Sequence, residues 1–185
     1  LAEKIWKPIL SYAENKGVKI AIENCPMLFT EDEWPGGKNL AISPAIWREL
    51  FKRLPSDMLG LNFDPSHFIW QEMDYIKPLY EFKDKIFHVH YKDIKVNRDA
   101  RNEVGILATP LSYMLPCIPG HGDVDWAEYI RALLEIGYKG AACIEIEDKS
   151  FENDKESIEN SLKISRQYLK QFINFPEKGK KYEKD

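Results

Sequence analysis

The feature of this sequence that most restricts its fold is an alternation of short apolar runs with amphipathic helical segments. Four runs are short and rich in β-branched or aromatic residues, which is typical of buried strands; they lie at residues 18–23, 59–64, 86–90 and 141–146. Strands that alternate with helices along a chain are usually joined by right-handed crossovers into one parallel sheet. The pattern therefore predicts an α/β fold with four β/α units.

A charged or imidazole side chain lies at or near the C-terminal end of each predicted strand. These side chains are Glu23, Asp64, His90 and Glu145. Because side chains alternate between the two faces of a strand, all four can share one face of the sheet. The strands fit half of a TIM-type barrel, whose active sites lie at the C-terminal ends of its strands. We therefore expect the four side chains to converge there.

Three carboxylates and one imidazole at close range predict a bound cation. Like charges in one site raise each other's pKa and resist ionisation unless a positive charge neutralises them. Oxygen ligands with a single nitrogen suit Mn²⁺, Mg²⁺, Co²⁺ or Zn²⁺, and the lack of cysteine ligands disfavours a structural zinc site. The sequence leaves the choice among these metals open.

Each of these residues also has a simpler interpretation. Glu23 could be a capping or loop carboxylate, and Asp64 before a proline could form an Asx turn, which is compatible with metal binding. Of the two histidines in the HVH run, we predict His90 as the ligand and His88 as a core or supporting residue. In the last strand Glu147 has the same facing as the preferred glutamate and competes with it.

Other segments give weaker signals. Residues 94–122 are predicted to form a loop of unusual length, and such loops are commonly functional or disordered. Trp34 lies in a loop where it could stack on a ligand, although tryptophans mostly serve packing. Lys92 and Lys95 are predicted to be solvated, with contact to an anionic group as the alternative. The PGHGDVDW run at 119–126 could be a turn followed by a helix cap.

Composition excludes several classes of protein. A formal net charge of −4 argues against a broad nucleic-acid interface. No apolar run approaches the ~18 residues of a membrane span, and the start lacks a signal-peptide pattern. The 3 cysteines form no CxxC pair and are expected to be buried thiols in a reducing compartment, so we expect a cytoplasmic protein. The chain begins at Leu1, so residues upstream are expected.

Five motifs in order resemble one known family. They are IAIEN ending at residue 24, GLNFDPSH at 60–67, HVHYKD at 88–93, PGHGDVDW at 119–126 and IEIED at 144–148. Together they resemble the xylose isomerase-like TIM-barrel superfamily, in particular its sugar phosphate isomerase/epimerase branch. The resemblance implies an eight-stranded (β/α)₈ barrel of which residues 1–175 form the C-terminal half, followed by a charged tail at 176–185.

The resemblance also implies roles for individual residues. It makes Glu23, Asp64, His90 and Glu145 the metal ligands, and it makes the two glutamates a pair that removes and returns a proton beside a carbonyl. A metal on the substrate oxygens would stabilise the enediolate that such a transfer requires. His67 matches a position that contacts substrate oxygens. The arginine that follows the metal histidine in the epimerases is absent, and Lys92, Lys95 and Arg98 are loose substitutes for it.

These expectations lead to a metal-dependent isomerase or epimerase of a sugar or related polyol. A lyase similar to inosose dehydratase is the nearest alternative, because it uses the same enediolate chemistry. A DNA-repair enzyme similar to endonuclease IV would need additional histidines, for which only His121 is suggestive. The remaining alternative is an inactive half-barrel that serves binding or assembly. Since an isolated four-stranded sheet has two open edges, we expect a homo-oligomer.

Overall fold

The computed structural model describes residues 2–28 and 37–173 of the chain. Within these ranges the helices are α1 (Ala2–Lys16), α2 (Pro44–Arg53), α3 (Ser66–Ile69), α4 (Lys77–Glu81), α5 (Arg98–Val104), α6 (Trp126–Glu135) and α7 (Lys155–Leu169). The strands are β1 (Ile20–Glu23), β2 (Leu59–Phe63), β3 (Ile86–Tyr91), β4 (Asp93–Val96), β5 (Met114–Cys117) and β6 (Ala141–Ile144). Two short 3₁₀ turns lie at Lys83–Lys85 and Pro110–Ser112.

The four predicted strands form one parallel sheet in the order β1-β2-β3-β6. Each observed strand lies within two residues of its predicted bounds. β1 begins at Ile20 rather than at Val18, because Gly17 ends α1 with a left-handed φ of 64° and the chain must still turn into the sheet. The predicted α/β class with a parallel sheet is confirmed. In the described part of the chain, β1 and β6 each pair on one side only.

The two faces of this sheet differ sharply. Leu61, Phe63 and Val89 are fully buried on one face, where they pack against Trp47 and Tyr129 of the helices. The opposite face carries small and polar residues. The register places them side by side, since Glu23 pairs with Asn62, Asn62 with His88 and His90 with Cys143. Period-two alternation therefore separates an apolar core on the helical side from a polar surface that holds the predicted ligands.

The segment at 94–122 is not the long loop that the sequence predicted. β4 and β5 pair antiparallel, α5 lies between them, and Ile94, Val96, Tyr113 and Met114 form a second core cluster with Trp70. The prediction was wrong because each strand has only four residues, about seventeen residues separate them, and a proline interrupts the second one. No tight turn marks the pair as a hairpin.

The Asp93 side chain, at the start of β4, holds the 120–126 segment in place. Its buried carboxylate accepts hydrogen bonds from the backbone N–H groups of Ile94, Gly120 and Val124 and from Trp126 Nε1, over 2.8–3.0 Å. A Cβ at Gly122 would lie 2.2 Å from Asp93 Oδ1, so only glycine fits there. The PGHGDVDW run is thus more than a turn and a cap, although Asp125 does cap α6.

Two further expectations from the sequence concern the burial of the cysteines and the lack of a membrane-spanning helix. Cys25 and Cys117 are buried as predicted, whereas Cys143 is exposed, because it lies on the polar face of β6, where nothing in the described chain covers it. Within the described residues, no helix combines the length and the apolar character needed to cross a membrane.

Candidate metal centre

The C-terminal ends of the four parallel strands bring together the four side chains that the sequence singled out. Glu23, Asp64, His90 and Glu145 each offer one ligand atom, and these atoms all lie within 4.8 Å of one another. His90 Nδ1 lies 3.3 Å from Glu23 Oε1, 3.8 Å from Asp64 Oδ2 and 3.1 Å from Glu145 Oε2. The imidazole nitrogen therefore faces three carboxylates at once.

Local backbone structure places each of these side chains. Glu23 is the last residue of β1, and Asp64 directly follows β2. Asn24 connects the two strand ends, since its amide nitrogen donates to Asp64 O and its oxygen accepts from Asp64 N, both at 2.8 Å. Beyond β6, the Glu145 N–H donates to Tyr91 O at 3.2 Å, which extends the strand pairing as far as the ligand.

Asp64 divides its two carboxylate oxygens between two tasks. Oδ1 accepts a hydrogen bond from the Ser66 N–H at 2.8 Å and so forms the Asx turn that the sequence predicted. Oδ2 points toward His90 instead. The side chain is fully buried. The turn thus fixes the orientation of the carboxylate and leaves one oxygen for the cluster.

Several buried polar atoms in and beside the cluster formed by Glu23, Asp64, His90 and Glu145 have no hydrogen-bond partner of good geometry. They are Asp64 Oδ2, His67 Nε2, His90 Nδ1 and Glu145 Oε2. Buried polar atoms in folded proteins are nearly always satisfied, so a group of four that face one another calls for an explanation. A divalent cation would satisfy the two oxygens and the His90 nitrogen. The donor set therefore fits the predicted metal.

The electrostatics of the site also favour positive charge. Burial alone would raise the pKa of Glu23, but the nearby imidazoles of His67 and His90 and the Lys92 ammonium outweigh it and lower the pKa to about 2. Burial would lower the pKa of His90, yet the carboxylates of Asp64, Glu145 and Glu23 raise it to about 12. Both shifts keep the charged forms, so a cation at this position competes with protons.

Lys92 is not the solvated side chain that the sequence predicted. Only 4% of the residue is exposed, and its Nζ lies 3.2 Å from Asp64 Oδ2, 3.0 Å from Glu145 Oε2 and 3.3 Å from Glu147 Oε2. The prediction was wrong because it treated Lys92 by local sequence, whereas carboxylates from two other strands attract the ammonium. Lys95 is exposed and pairs with Asp123.

The other predicted residues are placed in different ways. His67, in α3, is buried, and its Nε2 lies 3.5 Å from both Glu23 Oε1 and Asp64 Oδ2. The His121 ring lies 6.2 Å from that of Phe151, and among the described residues the four-member metal group does not include it. Trp34 lies outside the described residues. Glu147 reaches Lys92 but is not a member of the metal group.

Sequence reasoning missed one polar residue behind the cluster. Asn62 lies between the rings of His88 and His90, with contacts of 2.7 Å and 2.9 Å to a ring nitrogen of each. Alternation along β2 places Asn62 on the same face as Asp64, so its facing was predictable. Its contacts were not, because they depend on the register with β3.

Comparison with known proteins extends these observations. Residues 1–170 match the family model described as xylose isomerase-like TIM barrel. The chain is 29% identical over 178 residues to YfiH of Bacillus subtilis, which covers 91% of this chain and 51% of YfiH. It is also 29% identical over 119 residues to inosose dehydratase of Lactiplantibacillus plantarum, which covers 63% of this chain and 38% of that enzyme.

Solved structures show the same fold. The crystal structure of the IolI protein with a bound zinc atom matches with a TM-score of 0.63 and 20% identity, over 94% of this chain and 56% of IolI. D-Allulose 3-epimerase from Methylomonas sp. in complex with D-allulose matches with a TM-score of 0.61 and 18% identity, over 92% of this chain and 54% of that one. This chain thus spans about half the length of these structures and of YfiH, and the predicted partial TIM-type barrel is confirmed.

Proposed function

The chain belongs to the xylose isomerase-like TIM-barrel family, and on that premise we propose that its four-residue cluster is the metal centre of an enzyme that isomerises or epimerises a sugar or related polyol. The observation that carries the proposal is the convergence of three carboxylates and one imidazole within 4.8 Å at the ends of four neighbouring parallel strands. Similar proteins with epimerase or dehydratase names support this class of reaction.

The proposed ligands are Glu23, Asp64, His90 and Glu145. When bound, a divalent cation would polarise the carbonyl and hydroxyl oxygens of the substrate and so acidify the neighbouring C–H bond. Oxygen donors with one nitrogen are compatible with Mn²⁺, Mg²⁺, Co²⁺ and Zn²⁺. The zinc atom in IolI favours testing Zn²⁺ first.

Exposure suggests different tasks for the carboxylates. The Asp64 side chain is fully buried, so we assign it to metal binding alone, whereas the side chains of Glu23 and Glu145 are each 31% exposed. We propose that one of these glutamates removes the proton beside the carbonyl and that the other returns a proton to the resulting enediolate. The lowered pKa values keep the glutamate that removes the proton ionised at neutral pH, as a base requires. The other glutamate must first take up a proton from solvent before it can return one to the enediolate.

Four further residues are proposed as substrate contacts. His67 and Lys92 have side-chain nitrogens that border the cluster, where they could bind substrate oxygens. Trp34 and His121 stay predictions for the outer part of the site. We also retain the expectations of a cytoplasmic protein that binds a small sugar or polyol rather than nucleic acid.

A lyase of the inosose dehydratase type is the second candidate, supported by the 29% identity to that enzyme over 119 residues. It would begin with the same proton removal but would then expel a hydroxide as water. An inactive half-barrel that serves assembly is the non-catalytic alternative. The unpaired edges of β1 and β6 in the described sheet support the prediction that the chain associates with another chain.

The first test is metal binding in the protein and in an Asp64→Asn variant. Thermal unfolding is followed while Zn²⁺, Mn²⁺, Co²⁺ and Mg²⁺ are added, since a ligand at ~100 times its dissociation constant adds about 2.7 kcal/mol to stability. Asp154→Asn is the matched control, because Asp154 caps α7 far from the cluster and asparagine is an equally good cap. We expect wild type and control to be stabilised and Asp64→Asn to respond little. No response in any of them would refute the metal centre.

The second test separates the three functions. The metal-loaded protein is incubated in D₂O with ketoses and with an inosose, and the products are followed by NMR. Deuterium on the carbon beside the carbonyl, with a changed stereocentre or carbonyl position, supports the isomerase or epimerase. Loss of water from the inosose supports the lyase. Metal binding without exchange on any substrate supports the non-catalytic alternative.

A further inference from the structure

Asn62 stands directly behind the proposed metal ligand His90. Its Nδ2 lies 2.9 Å from His90 Nε2, and its Oδ1 lies 2.7 Å from His88 Nδ1. One carboxamide thus connects two imidazoles that lie two residues apart on the same strand. The rings of His88 and His90 meet edge to face, with centroids 5.4 Å apart and an interplanar angle of 89°.

An irregularity in the sheet produces this arrangement. The pairing of β2 with β3 shifts between Leu61 and Asn62, so that Leu61 pairs with Ile86 but Asn62 pairs with His88. A bulge of this kind redirects side chains and is common beside functional sites. Here it places the carboxamide opposite the gap between the two rings. The position of Asn62 beside the two rings is therefore set by the register of β2 and β3.

The chemistry of His90 restricts how Asn62 can be oriented. His90 Nδ1 faces the carboxylates of Glu23 and Glu145, so it is the atom that would offer a lone pair to a cation. A neutral imidazole that binds through Nδ1 carries its proton on Nε2, and that N–H needs an acceptor. Asn62 can supply one only if its oxygen, rather than its amide nitrogen, faces His90.

We propose that Asn62 is a positioning residue whose carboxamide oxygen accepts from the Nε2–H of His90 when Nδ1 of that ring holds a cation, while His88 Nδ1 accepts from the amide nitrogen. A 180° rotation of the carboxamide exchanges the two hydrogen-bond partners without moving either ring. In the structure the amide nitrogen faces His90 Nε2, and this rotation brings the oxygen there instead.

This inference rests on the proposed metal centre but makes separate demands on the imidazoles. The chain has 4 histidines, so long-range ¹H–¹⁵N NMR correlations can be assigned to each ring. In the Zn²⁺-loaded wild type we expect a protonated Nε2 on His90 and an unprotonated Nδ1 on His88. A Zn²⁺-bound His90 with its proton absent from Nε2, or His88 with its proton on Nδ1, would overturn the proposal. This measurement needs no variant.

Variants test the same idea through metal affinity, measured by calorimetry. Asn62→Leu removes the acceptor and should weaken Zn²⁺ binding by about 10- to 100-fold, as expected for loss of a hydrogen bond behind a metal-bound histidine. Asn62→Asp keeps an acceptor for Nε2–H and should bind Zn²⁺ at least as tightly as wild type. Asn97→Leu is the control, because Asn97 caps α5 away from the cluster and its loss should leave Zn²⁺ affinity unchanged.

The outcomes distinguish this inference from the proposed function. If wild type binds no metal, the proposed metal centre itself fails. If wild type binds Zn²⁺ and Asn62→Leu binds it equally tightly, the positioning role fails while the metal centre stands. Equal weakening in Asn62→Leu and Asn62→Asp would also overturn the positioning role, since an acceptor would then be irrelevant.

Discussion

Replacing Lys92 with methionine should have opposite effects on the stability of the metal-free protein and on its affinity for metal. The ammonium lies 3.0 Å from Glu145 and 3.2 Å from Asp64, and only 5% of its side chain is exposed. Removing one partner of a buried ion pair leaves an uncompensated charge and costs about 3–5 kcal/mol. Glu147 adds little to this figure, because its side chain is 46% exposed. The metal-free variant should therefore unfold at much lower denaturant concentration.

Metal affinity should rise in the same variant. Lys92 and a bound cation would share the carboxylates of Asp64 and Glu145 and would repel each other. Two unit charges ~4 Å apart interact by about 4 kcal/mol at an effective dielectric constant of ~20. If only a third of this repulsion is relieved, the gain is ~1.4 kcal/mol, which is about tenfold in the dissociation constant.

The assay combines urea unfolding with calorimetry. Unfolding free energies are measured in a chelator and in saturating Zn²⁺, and Zn²⁺ dissociation constants are measured by titration. Lys95→Met is the control, because Lys95 pairs with Asp123 at an exposed site and its replacement should change neither quantity appreciably. A Lys92→Met variant that is as stable as wild type without metal, or that binds Zn²⁺ more weakly, would refute this account of the site.

Three further predictions concern the same region. Burial would lower the pKa of His90, but the neighbouring carboxylates outweigh it and raise the pKa to about 12, so metal binding must displace a proton from the ring. The Zn²⁺ dissociation constant should therefore fall about tenfold per pH unit from roughly pH 6 to 8, and calorimetry in buffers of different ionisation enthalpy should detect about one released proton. A dissociation constant that does not change with pH would contradict the raised pKa of His90. Asp93→Asn should cost about 2–4 kcal/mol in chemical denaturation, because one amide oxygen cannot serve the four donors that now share the carboxylate; the exposed Asp99→Asn is the control. Gly122→Ala should lower the free energy of unfolding by about 1–3 kcal/mol, because its Cβ would lie 2.2 Å from Asp93 Oδ1. A variant as stable as wild type would show that the backbone at residue 122 can move to make room for the methyl group.

Much of the fold follows from local pattern. Four short apolar runs separated by helical periodicity were enough to predict the parallel sheet, and period-two alternation predicted that Glu23, Asp64 and His90 share a face. This success has a physical reason, since the apolar face of each strand must be buried and the other face is then fixed. Family resemblance assigned the same residues to a metal, and that assignment stays a prediction until binding is measured.

The remaining features depend on contacts between distant segments. Lys92 is buried only because Asp64 and Glu145 approach it from other strands, so its own neighbours in sequence gave no sign of it. The pairing of β4 with β5 joins two four-residue strands across a helix, and the role of Asn62 depends on a register shift. None of these features produces a periodic pattern of residues that could be recognised in the sequence.

The reciprocal pair of hydrogen bonds between Asn24 and Asp64 has a consequence for the range of ions that the site can hold. It extends the pairing of β1 and β2 by one residue, so the backbone positions of Glu23 and Asp64 are fixed relative to each other. Adjustment to ionic radius must then come from the other side of the site, where Glu145 lies one residue beyond the end of β6. Exchange of a small ion such as Mg²⁺ for a larger one should displace Glu145 and leave the Glu23–Asp64 spacing almost unchanged.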